Sequence, residues 1–333
     1  MVSVEGHTLD PVSRERLTHP DIGAVILFAR NYVDPTQLGA LTRQVREVKT
    51  PSLLIGVDQE GGPVQRFAQG FTRLPAMRDI GAVYDQQPGR ALLWARSVGM
   101  VLAAELKEAG IDFSFAPVLD LASGNQAIGR RAFHSDPKVV GSLAGAVAQG
   151  MNWCGMRAVA KHFPGHSGVF EDPHNELPSD PRSLRQIRDA DLRVYQHLDP
   201  QCFGGVMTCH VRFDQVDVQP VTFSKKWLNE ELRHQLGFTG AIFSDDLMMG
   251  AVTALADAPE RVLRARQAGC DMVLLCNDDQ ETDRVLSAAG LPPLDELGQA
   301  RLARMRANSA VEIDATSLTQ ARKQVHELAW DGG

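Results

Sequence analysis

Short apolar runs alternate with longer amphipathic segments along the chain, almost to its C-terminus. Each run is brief and β-rich, so we predict a buried strand at each one. Seven runs are clear and an N-terminal stub would make eight: MVSVEG from Met1, GAVILFA from Gly23, SLLIGVD from Ser52, FSFAPVLDLA from Phe113, MRAVAKH from Met156, GGVMTCH from Gly204, GAIFSDD from Gly240 and DMVLLCN from Asp271.

The segments between these runs carry helix patterns and helix start signals. Apolar residues from Leu38 to Val48 recur at helical spacing and form a stripe that can pack on a sheet. Ser183, with Gln186 three residues later, resembles a capping box. Three Asp-Pro pairs precede helical patterns, where Asp can cap free N–H groups and Pro suits the first turn: Asp10-Pro11, Asp34-Pro35 and Asp136-Pro137.

Strands that are apolar on both faces and joined by helices indicate a parallel sheet covered on both sides. Eight such units favour an α/β fold with a single (β/α)₈ barrel, and an open doubly wound sheet is the alternative. No Gly-, Ser- or Pro-rich linker divides the chain, so we expect one catalytic domain over residues 1–333. After Asn277 the pattern predicts extra C-terminal helices, around 294–308 and 317–330.

Composition narrows the classes of partner. The 333 residues include 34 basic and 41 acidic side chains, a net charge of −7, and the basic residues are scattered, so we expect no nucleic-acid partner. No apolar run is long enough for a membrane span, and the first ten residues do not resemble a signal peptide. Five cysteines without a C-x-x-C pair indicate buried, reduced thiols. We therefore expect a cytoplasmic protein.

Polar residues fall where the predicted strands end. In a barrel of this type the active site lies at the C-terminal ends of the strands. Surface charge distributed by chance would not concentrate at one end of successive strands, so we predict a pocket there, although structural salt bridges could give the same pattern. The strand-end residues are Asp58 with Gln59 and Glu60, Asp120, Lys161 with His162, His210, Asp245 with Asp246, and Asn277.

The spacing of these residues does not favour a metal site. His162 and His166 are four apart, as in zinc-binding helices, but a Pro-Gly pair separates them and no Glu follows His162. Asp245 and Asp246 could hold magnesium, but neighbouring residues of a strand point to opposite sides. We expect one of them to face the pocket and the other to brace a loop, and we predict no metal and no cofactor.

Lys161 offers a different chemistry. A lysine at a strand end can act as a Schiff-base nucleophile when its pKa is lowered, as in barrel aldolases. The glycines of DQEGG lack the Gly-Lys-Ser/Thr of a phosphate-binding loop, so we interpret them as a tight turn that exposes Asp58.

Six segments in this order resemble the family 3 glycoside hydrolases: GVDQEGGPVQRF, FAPVLDL, IGRRAFHSDP, KHFPGH, DPH and FSDDL. Within that family the chain is similar to the bacterial cytoplasmic β-N-acetylglucosaminidases of cell-wall recycling, whose catalytic domain is a (β/α)₈ barrel. The resemblance extends from the N-terminus to about Asn277. It implies a retaining exo-β-N-acetylglucosaminidase that acts on a small muropeptide or chitobiose-like sugar, and we expect it to act as a monomer.

The resemblance also implies roles for individual residues. The first Asp of the S-D-D segment, Asp245, would be the nucleophile, and His174 of the D-x-H loop, paired with Asp172, would be the acid/base. Pro173 replaces a residue that is often Ser and should stiffen this loop. The residues implied to bind sugar are Asp58, Arg66, Arg131, Lys161 and His162.

Histidine suits the proton-transfer role. An imidazole with a pKa near 6.5 can protonate the leaving oxygen when charged and deprotonate water when neutral. Asp172 would orient the ring and stabilise its charged form, as the aspartate of a serine-protease triad does. The alternatives are phosphorolysis by the same site, a Schiff-base lyase using Lys161, and a silent sugar-binding barrel if Pro173 locks the loop away.

Several of these residues have simpler explanations. Asp172 and His174 could be a solvated loop pair, and Asp58 with Arg131 could form a structural ion pair across the barrel mouth. His166 and His134 could support other site residues or lie at the surface. In MTCH, Thr208 and Cys209 replace the Pro and Ala common in the family, so the role of His210 is open.

Overall fold

The computed structural model describes residues 1–171, 176–196, 199, 201–288 and 292–330, without the side chains of 329 and 330. Eight parallel strands form its centre in this part of the chain, and we number them β1 to β8. They are Val2–Ser3, Ala24–Leu27, Leu54–Val57, Phe113–Ser114, Ala158–Phe163, Phe203–Thr208, Ala241–Asp246 and Met272–Leu274.

The eight strands close into a barrel. β1 to β4 pair in chain order as one parallel ladder, and β5 to β8 pair as a second. Two parallel bridges, Val118 with Lys161 and Val2 with Leu275, join the ladders on both sides. Closure pairs the edges that an open sheet would expose. The (β/α)₈ barrel predicted from the repeat count is confirmed, and the doubly wound sheet is wrong.

Helices surround the barrel, and the predicted caps are present. Asp10, Asp34 and Asp136 each accept backbone N–H groups of the following helix, and Ser183 forms a capping box with Gln186. The segment after β6, Lys226–Gln235, is π-helical. The α-helices are α1 Pro11–Leu17, α2 Pro35–Arg46, α3 Met77–Tyr84, α4 Pro88–Glu108, α5 Pro137–Trp153, α6 Leu184–Asp189, α7 Asp191–Tyr195, α8 Gly250–Thr253, α9 Ala258–Ala268, α10 Asp279–Ser287, α11 Glu296–Ala303 and α12 Ala315–Trp330.

Aromatic side chains fill the barrel interior. The rings of Phe113, Phe115 and Phe243 lie 5.2 to 5.5 Å apart and form one mutual cluster. Gly56 gives this cluster room, because a Cβ at that position would lie 2.7 Å from the Phe113 ring. A second, larger core lies between the strands and the helices. In α12, Ala321, Val325 and Leu328 are buried in that core.

Two buried aspartates organise the N-terminal end of the barrel. Asp112 precedes β4, accepts the Ile55 N–H at 2.9 Å and pairs with Arg46 at 3.0 Å and Arg306 at 3.4 Å. Asp271 precedes β8 and repeats the arrangement with the Ile242 N–H, Arg233 and Arg301 at 2.8 to 3.1 Å. Each carboxylate therefore ties the starts of two neighbouring strands to surrounding arginines.

No helix in the described part of the chain is long and apolar enough to cross a bilayer. The five cysteines are free and buried, as predicted.

Candidate active site

A cavity of about 680 Å³ opens at the C-terminal ends of the strands, where the sequence predicts a pocket. The alternation of a strand decides which residues face it. In β7, Ala241 and Phe243 pack inside the barrel. Asp245 continues on their side and lines the cavity.

The same rule explains the other walls. In β3, Leu54 packs inside the barrel, and Asp58, four residues on, lines the cavity. Inward residues at the ends of β2, β6 and β8 are apolar and supply Ile26, Met207 and Leu274. One side of the cavity is therefore charged and another is apolar, a combination typical of sugar sites, which need both hydrogen bonds and contact with C–H faces.

Asp245 is an ionised carboxylate at the cavity wall. Burial acts to raise its pKa, but the interactions with the His162 and His210 rings, the Asp246 N–H and Lys161 outweigh burial, so the pKa lies below its usual value. The Asp246 N–H donates to Asp245 Oδ1 at 2.8 Å. An ionised carboxylate with its lone pairs exposed to a cavity can act as a nucleophile.

Asp246 also lines the cavity, and its carboxylate braces the loops beside Asp245, the role that the sequence predicts for one member of the pair. Its Oδ1 accepts the Met248 N–H at 3.0 Å and the Cys276 N–H at 3.1 Å. Burial raises its pKa to about 7, and the nearby Asp245 charge adds to this effect.

Glu60 is the centre of an ion cluster that the sequence did not single out. It accepts two hydrogen bonds from Arg131, at 2.8 and 2.9 Å, and lies 2.6 Å from Lys161 Nζ. Asp58 contacts Lys161 at 2.7 Å and Arg66 at 3.7 Å. The suggested ion pair between Asp58 and Arg131 is therefore wrong, because Arg131 is bound by Glu60.

Charge pairing determines the pKa values of Glu60 and Arg131 in this cluster. Burial acts to raise the pKa of Glu60, but Arg131 and Lys161 lower it to about 2. The pKa of Arg131 is raised because Glu60 outweighs the burial of the guanidinium. The signal that could have identified Glu60 is its spacing: two residues after Asp58 in an extended segment, it projects to the same side.

Asp120 is a second carboxylate that the sequence left without a role. It is buried and accepts hydrogen bonds from the Nδ1 atoms of His162, at 2.7 Å, and His166, at 2.8 Å. Burial acts to raise its pKa, but the interactions with His166 and His162 lower it far below the usual value. The pairing of β5 with β6 shifts register between Ala160 and Phe163, and an irregularity of this kind can bring both Lys161 and His162 to the barrel mouth.

The Asp120, His162 and His166 atoms are near enough to one another to be considered as metal ligands, all within 4.8 Å. Two ligands of a tetrahedral zinc ion lie about 3.3 Å apart, since each is about 2.0 to 2.1 Å from the metal. The Nδ1–oxygen distances of 2.7 and 2.8 Å instead match direct hydrogen bonds. The expectation of no metal stays a prediction.

Lys161 is held between two carboxylates rather than presented as a free amine, since Asp58 and Glu60 lie at 2.7 and 2.6 Å from its Nζ. A nitrogen engaged by two carboxylates is not free to attack a carbonyl carbon, so this pairing weakens the Schiff-base hypothesis.

His210 lies beside the cavity in a network of hydroxyl groups. Its Nε2 bonds the Asp246 carbonyl and its Nδ1 bonds the Thr222 hydroxyl, both at 2.9 Å. Thr208, one of the two unusual residues of MTCH, contacts the same hydroxyl at 2.7 Å. Burial lowers the pKa of His210, so a neutral ring donates to the Asp246 carbonyl and stabilises the turn after Asp245.

The predicted acid/base residues Asp172 and His174, with Pro173 between them, lie outside the described residues. The chain on the N-terminal side of this segment is anchored, because the Val169 carbonyl accepts the Asn125 side-chain N–H at 2.9 Å. The sequence left two further histidines, His166 and His134, without a defined role. His166 is buried and hydrogen-bonded to Asp120, whereas His134 is partly exposed beside Asp85.

Known proteins are similar to this chain in sequence and in fold. Residues 1–304 match the glycosyl hydrolase family 3 N-terminal domain, beyond the extent of about 277 residues predicted from the motifs. The β-hexosaminidase of Thiobacillus denitrificans is 46% identical over 329 residues, 98% of this chain and 91% of the relative. That of Alkalilimnicola ehrlichii is 47% identical over 313 residues, 94% and 89% of the two chains.

Solved structures agree with these relatives. Native NagZ from Neisseria gonorrhoeae superimposes with a TM-score of 0.93 at 40% identity, covering 99% of this chain and 97% of that one. The same protein in complex with N-trifluoroacetyl-D-glucosamine gives the same values. On this similarity in sequence and fold along nearly all of its length, the chain belongs to glycosyl hydrolase family 3 and is a glycoside hydrolase of the β-N-acetylhexosaminidase type.

Proposed function

We propose that this protein is a retaining exo-β-N-acetylglucosaminidase that removes terminal non-reducing N-acetylglucosamine from peptidoglycan fragments, GlcNAc-1,6-anhydroMurNAc with or without its peptide. The observation that carries the proposal is the ionised Asp245 carboxylate on the wall of a cavity whose other polar groups suit sugar hydroxyls. A cavity of about 680 Å³ is large enough for one or two sugar rings.

The proposed reaction has two displacements at the anomeric carbon. Asp245 attacks C1 and forms a glycosyl ester while the bond to the leaving oxygen breaks. His174, in its charged form and oriented by Asp172, gives its proton to that oxygen. The neutral ring then takes a proton from water, whose oxygen attacks C1 and releases Asp245 as a carboxylate. Configuration at C1 is retained because it inverts twice.

Fixed charges around Asp245 would hold the sugar. Arg131 and Lys161 present N–H donors whose geometry is set by Glu60, and Asp58 offers an acceptor. Arg66, loosely paired with Asp58 at 3.7 Å, is free to move onto a ligand oxygen. The complex of the Neisseria gonorrhoeae protein with N-trifluoroacetyl-D-glucosamine supports an amino sugar as the ligand of this cavity.

A trapping experiment tests the proposal directly. The protein is treated with a slow fluorinated N-acetylglucosamine donor, and peptides are analysed by mass spectrometry. We expect one added glycosyl group on the peptide that contains Asp245 and none in Asp245→Asn. Release of phenol from an aryl N-acetylglucosaminide should disappear in the same variant. Labelling of another residue, or full activity in the variant, would refute Asp245 as the nucleophile.

Three further experiments separate the alternatives. Sugar 1-phosphate formed in phosphate buffer would reveal phosphorolysis, because a histidine acid/base repels phosphate less than a carboxylate does. Borohydride trapping of a carbonyl substrate on Lys161 would reveal a lyase. Ligand binding without turnover would indicate a silent sugar-binding barrel.

We further propose that the chain works as a cytoplasmic monomer with a single catalytic domain. The supporting observations are the five free, buried cysteines and a barrel closed within one chain. Size-exclusion chromatography with light scattering measures the oligomeric state, and a dimer mass would refute the monomer.

A further inference from the structure

Asp120 contacts a residue of the cavity wall without lining the cavity itself. The residue is 1% exposed and is absent from the cavity wall, whereas His162 lines the cavity. The contact between them is close: Asp120 Oδ2 accepts His162 Nδ1 at 2.7 Å and the His162 backbone N–H at 3.2 Å. Its other oxygen, Oδ1, accepts His166 Nδ1 at 2.8 Å.

This contact fixes where the hydrogens of His162 lie. An ionised carboxylate only accepts hydrogen bonds, so the Nδ1 atoms of both rings must carry hydrogen. In a neutral ring the other nitrogen, Nε2, then has a free lone pair and is an acceptor. Burial lowers the pKa of His162 in spite of Asp120, and Arg131 and His166 add to the lowering, so the neutral ring is favoured.

His162 lines the proposed sugar site and has one ring nitrogen left for a ligand. Its Nδ1 is used by Asp120, and Nε2 has no protein partner among the described residues, so Nε2 is the nitrogen available to a ligand. The cationic groups beside it, Lys161 and Arg131, can only donate hydrogen bonds. A neutral His162 would thus add an acceptor next to these donors.

We propose that Asp120 is a positioning residue that holds His162 as the Nδ1–H tautomer, so that Nε2 accepts a hydrogen bond from a hydroxyl of the bound amino sugar. The proposal rests on the proposed function of the cavity and adds a role for a residue that the substrate does not touch. The proposal also specifies the direction of this hydrogen bond. The substrate hydroxyl donates and His162 accepts, so a ligand that lacks this hydroxyl hydrogen should bind less well.

Two substitutions of Asp120 separate its role as a hydrogen-bond acceptor for His162 from the effect of its charge. Asp120→Asn keeps an acceptor oxygen, and this oxygen is best placed at Oδ2, where it serves both the backbone N–H and the Nδ1–H of His162. The new NH₂ group then faces His166. Asp120→Leu has a similar size and removes every acceptor. We therefore expect Asp120→Asn to stay within about 10-fold of the native kcat/KM and Asp120→Leu to lose about 10² to 10³-fold.

Nitrogen NMR of ¹⁵N-histidine-labelled protein gives a readout that does not depend on turnover. With His162 assigned by comparison with His162→Gln, we expect an unprotonated Nε2 in the native protein and in Asp120→Asn, and mixed tautomers in Asp120→Leu. A protonated His162 Nε2 in the native protein would overturn the proposal, whether or not the protein cleaves an N-acetylglucosaminide.

A double-mutant cycle tests whether Asp120 acts through His162. In the His162→Ala background, Asp120→Leu should reduce kcat/KM by less than about 2-fold further, because the positioned group is already gone. A full additive loss would show that Asp120 acts through another route and would overturn the proposal. Asp112→Leu is the matched control, since Asp112 is equally buried at the opposite end of the barrel. It should lower stability and leave the His162 tautomer unchanged.

Aryl N-acetylglucosaminides deoxygenated at C3, C4 or C6 identify the hydroxyl. One of them should lose at least about 10-fold in kcat/KM with the native protein and much less with His162→Ala. Equal losses for both proteins on all three compounds would contradict the acceptor role of His162. If the native protein does not cleave the parent aryl N-acetylglucosaminide, the proposed function fails, and the NMR result still stands or falls separately.

Discussion

The two ends of the barrel use buried carboxylates in different ways. At the N-terminal end, Asp112 and Asp271 each bind two arginines and a backbone N–H and so join strand starts to their surroundings. At the C-terminal end, Glu60 and Asp120 bind side chains that also line the cavity: Arg131 and Lys161 for the first, His162 for the second. The same kind of contact therefore stabilises the fold at one end and orients ligand-binding groups at the other.

Asp245 should show the largest effect, and only on activity. Asp245→Asn removes the proposed nucleophile, so kcat/KM should fall by about 10⁴-fold or more. The side chain keeps an oxygen for the Asp246 N–H, so the melting temperature should be unchanged or higher. Parallel assays of an aryl N-acetylglucosaminide and of thermal unfolding measure both. A large loss of stability would mean that the two ends are less distinct than we infer.

Substitution of Asp271 should lower stability and leave activity nearly unchanged. Asp271→Asn keeps an acceptor for the Ile242 N–H but leaves Arg233 and Arg301 without their carboxylate, and should lower the free energy of unfolding by about 2 kcal/mol. Denaturant titration gives the free energy, and kcat/KM of the folded protein should stay within about 2-fold of native. A loss of activity as great as the loss in an active-site variant would contradict the separation of roles.

Glu60 should affect both properties. In Glu60→Gln the cations Arg131 and Lys161 lose their shared charge partner, so their positions loosen and kcat/KM should fall by about 10²-fold, mainly through KM. Stability should fall as well, because two buried cations remain. Kinetics and denaturant titration are compared with those of Asp271→Asn, the matched control at the other end. Unchanged kinetics would show that Glu60 is only structural.

The smallest effect is a dependence of stability on pH. Asp246 has its pKa raised to about 7 when folded, so its contribution to stability is fully present below its usual pKa and is lost as the pH rises toward 7. Glu60, with a pKa lowered to about 2, contributes above its usual pKa and loses that contribution as the pH falls toward 2.

Asp246→Asn isolates the first of these contributions. The variant retains an oxygen for the Met248 and Cys276 N–H groups but cannot ionise. Between about pH 5 and pH 8, the free energy of unfolding of the native protein should fall by at least about 1 kcal/mol relative to the variant. Parallel curves for the two proteins would contradict the raised pKa of Asp246.

The sequence predicts this fold well because its signals are local. Run length, Asp-Pro caps and the alternation within strands depend on neighbouring residues, and they place Asp58, Lys161 and Asp245 at one end of the barrel. The length of β4 was less accessible: the run from Phe113 continues to Ala122, but the strand ends at Ser114, shortly before Pro117, which has no N–H for a ladder.

The partners of the charged residues could not be predicted in the same way. Asp58 and Glu60 project to the same side of one segment, so either could meet Arg131, and the choice depends on how the loop around Gly129–Arg131 folds. The meeting of Asp120 with His162 and His166 depends on an irregularity in β5, which no local pattern encodes. Likewise, the π-helical winding of Lys226–Gln235 has no local signal in the sequence that distinguishes it from an α-helix.

The bridge between Val2 and Leu275 has a consequence for biosynthesis. These partners are separated by almost the whole barrel sequence. One side of β1 therefore stays unpaired until the ribosome has synthesised β8 and the Leu275 that follows it. At about 5 to 20 residues per second, that delay is roughly 10 to 60 s. During this time the nascent half-barrel exposes unpaired strand edges, and the emerging chain therefore depends on rapid completion or on chaperones to avoid aggregation.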